Sequence, residues 1–174
     1  NILSTAFLEK KINLGGVLII ACHLSSFFKK IELVITGKLK SEIKKLLPKN
    51  IIINETNINN VSIIKKNRFV DYYSKTKLFQ INENDIFTLT AKDEKKIIKI
   101  LDKYAKKKYK FVLTDFGHGL FNKSIVKFLH SKSIKKYINC QSNSSNYGYN
   151  IFTKFNNSQL TCVDEVEFRL STQE

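Results

Sequence analysis

The chain has 174 residues, 43% of them hydrophobic, and carries 30 basic against 15 acidic side chains for a formal net charge of +15. That balance fits one globular domain with a core of its own and excludes intrinsic disorder. No apolar run approaches the ~20 residues of a membrane-spanning helix, and no secretory signal pattern is visible.

The elements alternate along the chain. Gly15-Gly16 leads into a helical stretch from Val17 to about Phe28. Ile31 to Thr36 reads as a buried strand ending at Gly37, and Leu39 to Leu47 has helical spacing that stops at Pro48. Ile51 to Ile53 is a further short strand. Val61 to Tyr73 and Lys77 to Ile81 read as paired strands around a Ser74-Lys75 turn. Lys92 to Lys107 is the clearest helix, with Ile97, Ile98, Leu101 and Tyr104 on one face and lysines opposite. Tyr109 to Thr114 is a strand running into Asp115. Asn122 suits the cap of a helix through His130. Tyr137 to Cys140 and Leu160 to Val163 are the last strands, and Glu165 to Leu170 begins a helix. This alternation predicts an α/β domain over residues 1–174 with a largely parallel sheet. The strands near 31–36, 111–114, 137–139 and 160–163 should lie side by side in that one sheet.

The charge asks for an anionic partner or a solvated surface. Only Arg68 and Arg169 among the basic residues are arginine, and arginine is the residue whose planar fork reads base edges and clamps phosphates. The lysines sit along amphipathic segments, so the reading favours solvated faces over a nucleic-acid footprint. Cys22, Cys140 and Cys162 are scattered without a CxxC pair, which fits reduced thiols in the cytoplasm.

In parallel α/β sheets ligands bind beyond the carboxyl ends of the strands. That rule selects three stretches. Asp115-Phe116-Gly117-His118-Gly119 puts a carboxylate at a strand end before two flexible glycines, a pattern suited to hydroxyls or a metal-bound phosphate, or to a simple helix cap. His118 is either a general base or a bystander. Asn139, Gln141, Asn143 and Asn146 crowd another strand exit, where amides suit a polyhydroxylated ligand or form turns. Asp164, Glu165 and Glu167 gather at a helix start, either for the helix dipole or for a water-mediated magnesium site. Gly15-Gly16 offers close backbone approach and free N–H donors, or a plain helix entry. There is no Walker loop, no zinc spacing among His23, His118 and His130, and no GxSxG turn.

Taken in order, these motifs resemble PfkB-type, ribokinase-like carbohydrate kinases, with the heptose 7-phosphate kinase branch the nearest. Ile2-Leu3-Ser4-Thr5-Ala6-Phe7 followed by Gly15-Gly16-Val17 and the His23-Leu24-Ser25-Ser26 helix resembles the sugar-side glycine motif. Lys66-Asn67-Arg68-Phe69-Val70 is similar to a Thr-Lys-x-Arg strand, and the Asp115 loop is similar to Asp-Tyr-x-Lys-Gly. Asn139 to Asn150 is similar to an Asn-rich segment in a subgroup often joined to a nucleotidyltransferase domain. Val163 to Glu167 sits where the family carries Asn-x-x-Glu. The chain departs at Ile19, where a ribose-type kinase has Asn, at His118 in place of Lys, and at Asp164 in place of Asn. It also holds no Gly-Ala-Gly-Asp motif, the family's source of anion hole and catalytic base.

The resemblance implies a three-layer ribokinase-like fold with a small antiparallel lid near residues 61–81. With Asn at position 1 and no Met in the chain, we expect a fragment or processed product, incomplete at both ends and inactive alone. It further implies ATP and magnesium as cofactors and a sugar or sugar phosphate as substrate. Gly15, Gly16, Lys66, Arg68, Asp115 and Gly117 would line the sugar side, Asn139 and Asn143 would lie between sugar and nucleotide, and Asp164 and Glu167 would hold the magnesium shell. No catalytic residue is assigned. A homodimer through the lid strands and a fused nucleotidyltransferase domain are the implied protein partners. The rivals are a non-enzymatic basic module that binds nucleic acid and a kinase-like scaffold.

Overall fold

The computed structural model describes residues 5–58, 61, 63–83, 86–142 and 146–173. After an extended, exposed segment, helix α1 (Gly16–Ser25) packs against a parallel pair, β1 (Ile31–Ile35) and β2 (Ile51–Glu55), with Ile31 opposite Ile51. A single helical turn, α2 (Ser41–Lys44), makes the crossover and the chain turns before Pro48. Ala21, Leu33, Ile35, Leu39 and Ile51 form a small core between them.

The hairpin β3 (Lys65–Val70) and β4 (Lys77–Glu83) is a separate antiparallel sheet. Asp71 closes its turn by accepting from the Ser74 amide at 2.7 Å, and Lys75 takes a left-handed φ of 57°. This is the pair of strands around a Ser74-Lys75 turn that the sequence predicts, with β3 shorter than the expected Val61 to Tyr73. Phe69 and Phe79 stack with centroids 4.4 Å apart, yet both remain about half exposed.

The larger unit is a parallel sheet of β5 (Phe111–Asp115), β6 (Lys136–Cys140) and β7 (Leu160–Cys162), in that order. Helices α3 (Ala91–Lys106) and α4 (Lys123–Ser131) cover one face. Their Ile97, Tyr104, Ile125 and Leu129 pack with Phe111, Leu113, Ile138 and Cys140 in one core. Ile125 and Leu129 are fully buried, and each such side chain contributes about 1.5–3 kcal/mol. Two caps set these helices. Thr90 and Asp93 close a reciprocal capping box on α3. Asn122 accepts from the Ile125 amide at 3.1 Å and donates to Glu94 at 2.6 Å, tying the two helix starts together. A 3-10 turn (Phe152–Lys154) precedes β7, and α5 (Glu165–Thr172) ends the described chain. No described helix is long and apolar enough to cross a membrane.

The chain is therefore mixed α/β with parallel strands, but the expectation of a single sheet is corrected: the β1–β2 pair and the β5–β6–β7 sheet are hydrogen-bonded separately. Side chains make the link instead. Val34 packs on the larger core, and the Tyr104 hydroxyl of α3 lies 2.9 Å from Glu32 Oε2 and 3.0 Å from Asn54 Oδ1. Among the described residues no helix closes over the other face of β5, where Val112 is 44% exposed, so the three-layer expectation is not met at this strand.

Candidate functional site

Five segments converge where β5 and β6 end. Asp115 is the last residue of β5 rather than the first of the loop, and it is 3% exposed. Its Oδ1 accepts from the Gly117 amide at 2.9 Å, turning the chain back over the strand end. Gly117 and Gly119 take left-handed φ values of 74° and 107°. A Cβ at Gly117 would stand 1.8 Å from Asn146 Nδ2, and one at Gly119 would stand 1.9 Å from the Phe87 carbonyl oxygen. Both glycines are required by conformation and by close approach together.

Each neighbour is held. The Phe87 amide donates to the His118 carbonyl at 3.0 Å, so the return from the hairpin lies on the loop. Phe116 reaches α1: its ring is 3.3 Å from where a Cβ of Gly16 would sit, and Gly16 has φ 52°. Asn146 Nδ2 donates to the Phe116 carbonyl at 3.0 Å. Asn150 Nδ2 bridges the carbonyls of Asp115 at 3.3 Å and Gln141 at 2.9 Å, clamping the ends of adjacent strands. Lys154 donates to Asn150 Oδ1 at 2.6 Å and forms an ion pair with Asp115 Oδ2. That oxygen is buried without a well-aligned hydrogen bond, so the ammonium answers its charge. Beneath them burial, seconded by the Asp115 charge, pushes the Cys140 thiol up to about 12, which leaves it protonated and inert.

The acids of α5 serve the backbone. Asp164 Oδ1 accepts from the Glu167 amide at 2.7 Å, and Glu167 Oε2 accepts from the Asp164 amide at 2.9 Å. Glu167 Oε1 also takes the Ser142 amide at 3.0 Å, which joins the β6 exit to the start of α5. The dipole-and-cap role is thus realised. Among the described residues no three His, Cys, Asp or Glu side chains gather as a metal site. Both Glu167 oxygens are thus taken by backbone amides, whereas Asp164 is exposed and its Oδ2 lies outside the capping box.

Of the residues singled out in the sequence, Gly16, Asp115 and Gly117 come together with Asn146. Gly15 caps α1 in open space. Asn139 points along the sheet, donating to the Cys162 carbonyl of β7 at 3.0 Å. Lys66 and Arg68 are exposed on β3, and their side chains make no hydrogen bond or ion pair among the described residues. Asn143 lies outside the described residues. Asp115 caps no helix, since Asn122 does that for α4. Sequence reasoning missed Lys154, Asn150 and Phe87. The Asn-rich turn that contains Asn146 and Asn150 was the one available signal for Asn150. Lys154 is one lysine among many, and nothing local marks it or Phe87. Comparison with protein-family models and with curated proteins finds no match for this chain.

Proposed function

We propose that this chain is part of an ATP-dependent carbohydrate kinase that phosphorylates a sugar or sugar phosphate, a heptose phosphate among the candidates. The observation that supports this reading is the convergence of Gly16, the Asp115–Gly119 loop and the amides of Asn146 and Asn150 at the carboxyl ends of parallel strands. Asp115, Asn146 and Asn150 are buried and engaged with the backbone, so the groups they leave to meet adjacent hydroxyls are the N–H and C=O groups of the partly buried glycine loop that they hold in place. Phosphoryl transfer depends chiefly on positioning and charge stabilisation. Asp164 is the residue that would hold magnesium through water, and the ion, when bound with ATP, would supply charge neutralisation at the phosphates. The β3–β4 hairpin is proposed as the lid, Lys66 and Arg68 facing an anionic substrate group and the half-exposed Phe69 and Phe79 facing a second copy. No residue of this stretch is proposed as the catalytic base. A nucleotidyltransferase partner domain and a cytoplasmic location belong to the same proposal.

The test is a calorimetric titration of residues 1–174 with glucose, ribose and a heptose 7-phosphate, alongside the Asp115→Ala variant. Saturable binding of the heptose phosphate that is lost in the variant is expected. Binding of none of the three, with tight binding of duplex DNA that survives physiological salt in its place, would overturn the reading.

A further inference from the structure

Lys154 belongs to none of the motifs discussed above, yet two buried acceptors depend on it. Asp115 Oδ2 and Asn150 Oδ1 both face its ammonium. An ammonium has three donors and no acceptor, so the one group hydrogen-bonds Asn150 and supplies the countercharge to Asp115. The consequences differ for the two partners. For Asp115, 3% exposed, it supplies the countercharge without which a buried carboxylate is strongly disfavoured. For Asn150 it fixes the amide's orientation: the reversed amide would set N–H donors against the ammonium. Only the observed orientation leaves Nδ2 free to bridge the Asp115 and Gln141 carbonyls.

The backbone that carries Lys154 is itself anchored. It closes the 3-10 turn between two aromatic contacts. Phe152 stacks on Phe168 of α5 with centroids 6.2 Å apart, and the buried Phe155 meets Phe121 edge-on at 5.3 Å. The side chain reaches from this fixed point to the end of β5 and is 27% exposed.

We propose that Lys154 is a positioning residue of the candidate site: it holds the buried Asp115 carboxylate and the Asn150 amide in one arrangement, and through the Asp115–Gly117 hydrogen bond it fixes the loop backbone that faces a substrate. This rests on the sugar-binding reading of the Asp115 loop. It predicts that a cation is needed at position 154 and that its effect on ligand binding runs through Asp115.

The experiment titrates residues 1–174 with a heptose 7-phosphate by calorimetry, comparing wild type with Lys154→Met, Lys154→Arg, Asp115→Asn and the Lys154→Met/Asp115→Asn double variant. Circular dichroism checks folding, and the Gly117 amide resonance reports the carboxylate's placement without ligand. Lys154→Met should weaken binding roughly tenfold or more and displace the Gly117 resonance, while Lys154→Arg should restore both. The double variant should bind no worse than Asp115→Asn alone, because the two residues act through one contact. If Lys154→Met does not fold, Lys154→Gln takes its place: it keeps a donor for one acceptor, should bind more weakly than wild type, and overturns the proposal if it does not. Wild-type binding by Lys154→Met, with binding lost in Asp115→Asn, sinks the role of Lys154 and leaves the sugar-binding reading standing. Unchanged binding in Asp115→Asn, or none by wild type, sinks that reading and this proposal with it.

Discussion

The Asp115 loop and the β3–β4 hairpin are both short chain reversals, and they are held by opposite means. The loop's polar groups are answered from far along the chain: Asn146 reaches Phe116 across 30 residues, and Asn150 reaches Asp115 across 35. The hairpin answers its own. Lys65 and Asn67 pair with Glu83 on the facing strand, and Asp71 with Ser74 three residues on. The loop buries a charge and leaves little apolar surface open; the hairpin leaves Val70, Leu78 and Ile81 about half exposed and contributes to neither hydrophobic core. A site welded by distant contacts holds fixed geometry, whereas a self-contained hairpin is free to move as a unit, the division of labour expected of a binding edge and its cover.

The sharpest way to break this comparison is Gly119→Ala. The added Cβ meets the Phe87 backbone at 1.9 Å and the position keeps φ 107°, so strain and overpacking combine. We expect a loss of about 3–5 kcal/mol in urea unfolding. A loss below about 1 kcal/mol would mean that the loop is not fixed to the hairpin return, and the contrast with the hairpin would fail.

Next in size is Leu129→Ala, in the core beneath the loop. Leu129 is fully buried among residues of α3, α4 and the larger sheet, and its truncation should cost about 3 kcal/mol in the same measurement. The unfolding slope should stay unchanged, since the loop and its core unfold as one unit.

This division also decides what the sequence could reveal. Helix α3 was legible from its apolar spacing, α4 from Asn122, and the hairpin from its Ser74-Lys75 turn, because each signal lies within the element. The split of the parallel strands into two sheets was not legible, since strand adjacency is a long-range matter and the Tyr104 bridge to Glu32 spans 72 residues. At the site, Asp115 and its glycines stood out as a local pattern. Its burial, and its dependence on Lys154, did not. Asn139 shows the converse: an amide at a strand exit looks poised for a ligand, and the structure engages it with β7. The acids of α5 carried two readings in the sequence, and the capping box realises the structural one.

A smaller effect tests the bridge between the two sheets. Burial pushes the Glu32 carboxyl upward, but hydrogen bonds from Lys30, Asn54 and Tyr104 outweigh it and hold the folded value below the ordinary 4.5. A depressed carboxyl contributes stability that is complete above its unfolded value and lost as pH falls through the folded one. Wild type should therefore exceed Glu32→Gln in urea midpoint at pH 7, and the gap should close as the pH falls below roughly 4. A gap independent of pH would show that the bridge acts through shape and hydrogen bonding rather than charge.

The smallest expected effect belongs to the hairpin. Phe69 and Phe79 stack on each other while remaining 44% and 50% exposed, and a two-stranded ribbon is marginally stable by itself. Replacing both rings, as Phe69→Thr/Phe79→Thr, removes a cross-strand aromatic pair but opens no cavity in either core. Because the hairpin can open locally without unfolding the sheets, the global transition should move by about 0.5 kcal/mol or less. Hydrogen exchange should tell the two regions apart: amides of β3 and β4 should lose protection while those of β5 and β6 keep it. The same variant bears on the hairpin's proposed contact with a second copy. Sedimentation of wild type at rising concentration should show a dimer that the double variant loses, since an interface stripped of its aromatic anchors gives up most of its binding energy. A monomeric wild type would leave the exposed rings to face the site or another partner, and a large fall in global stability would show that the hairpin is part of the core after all.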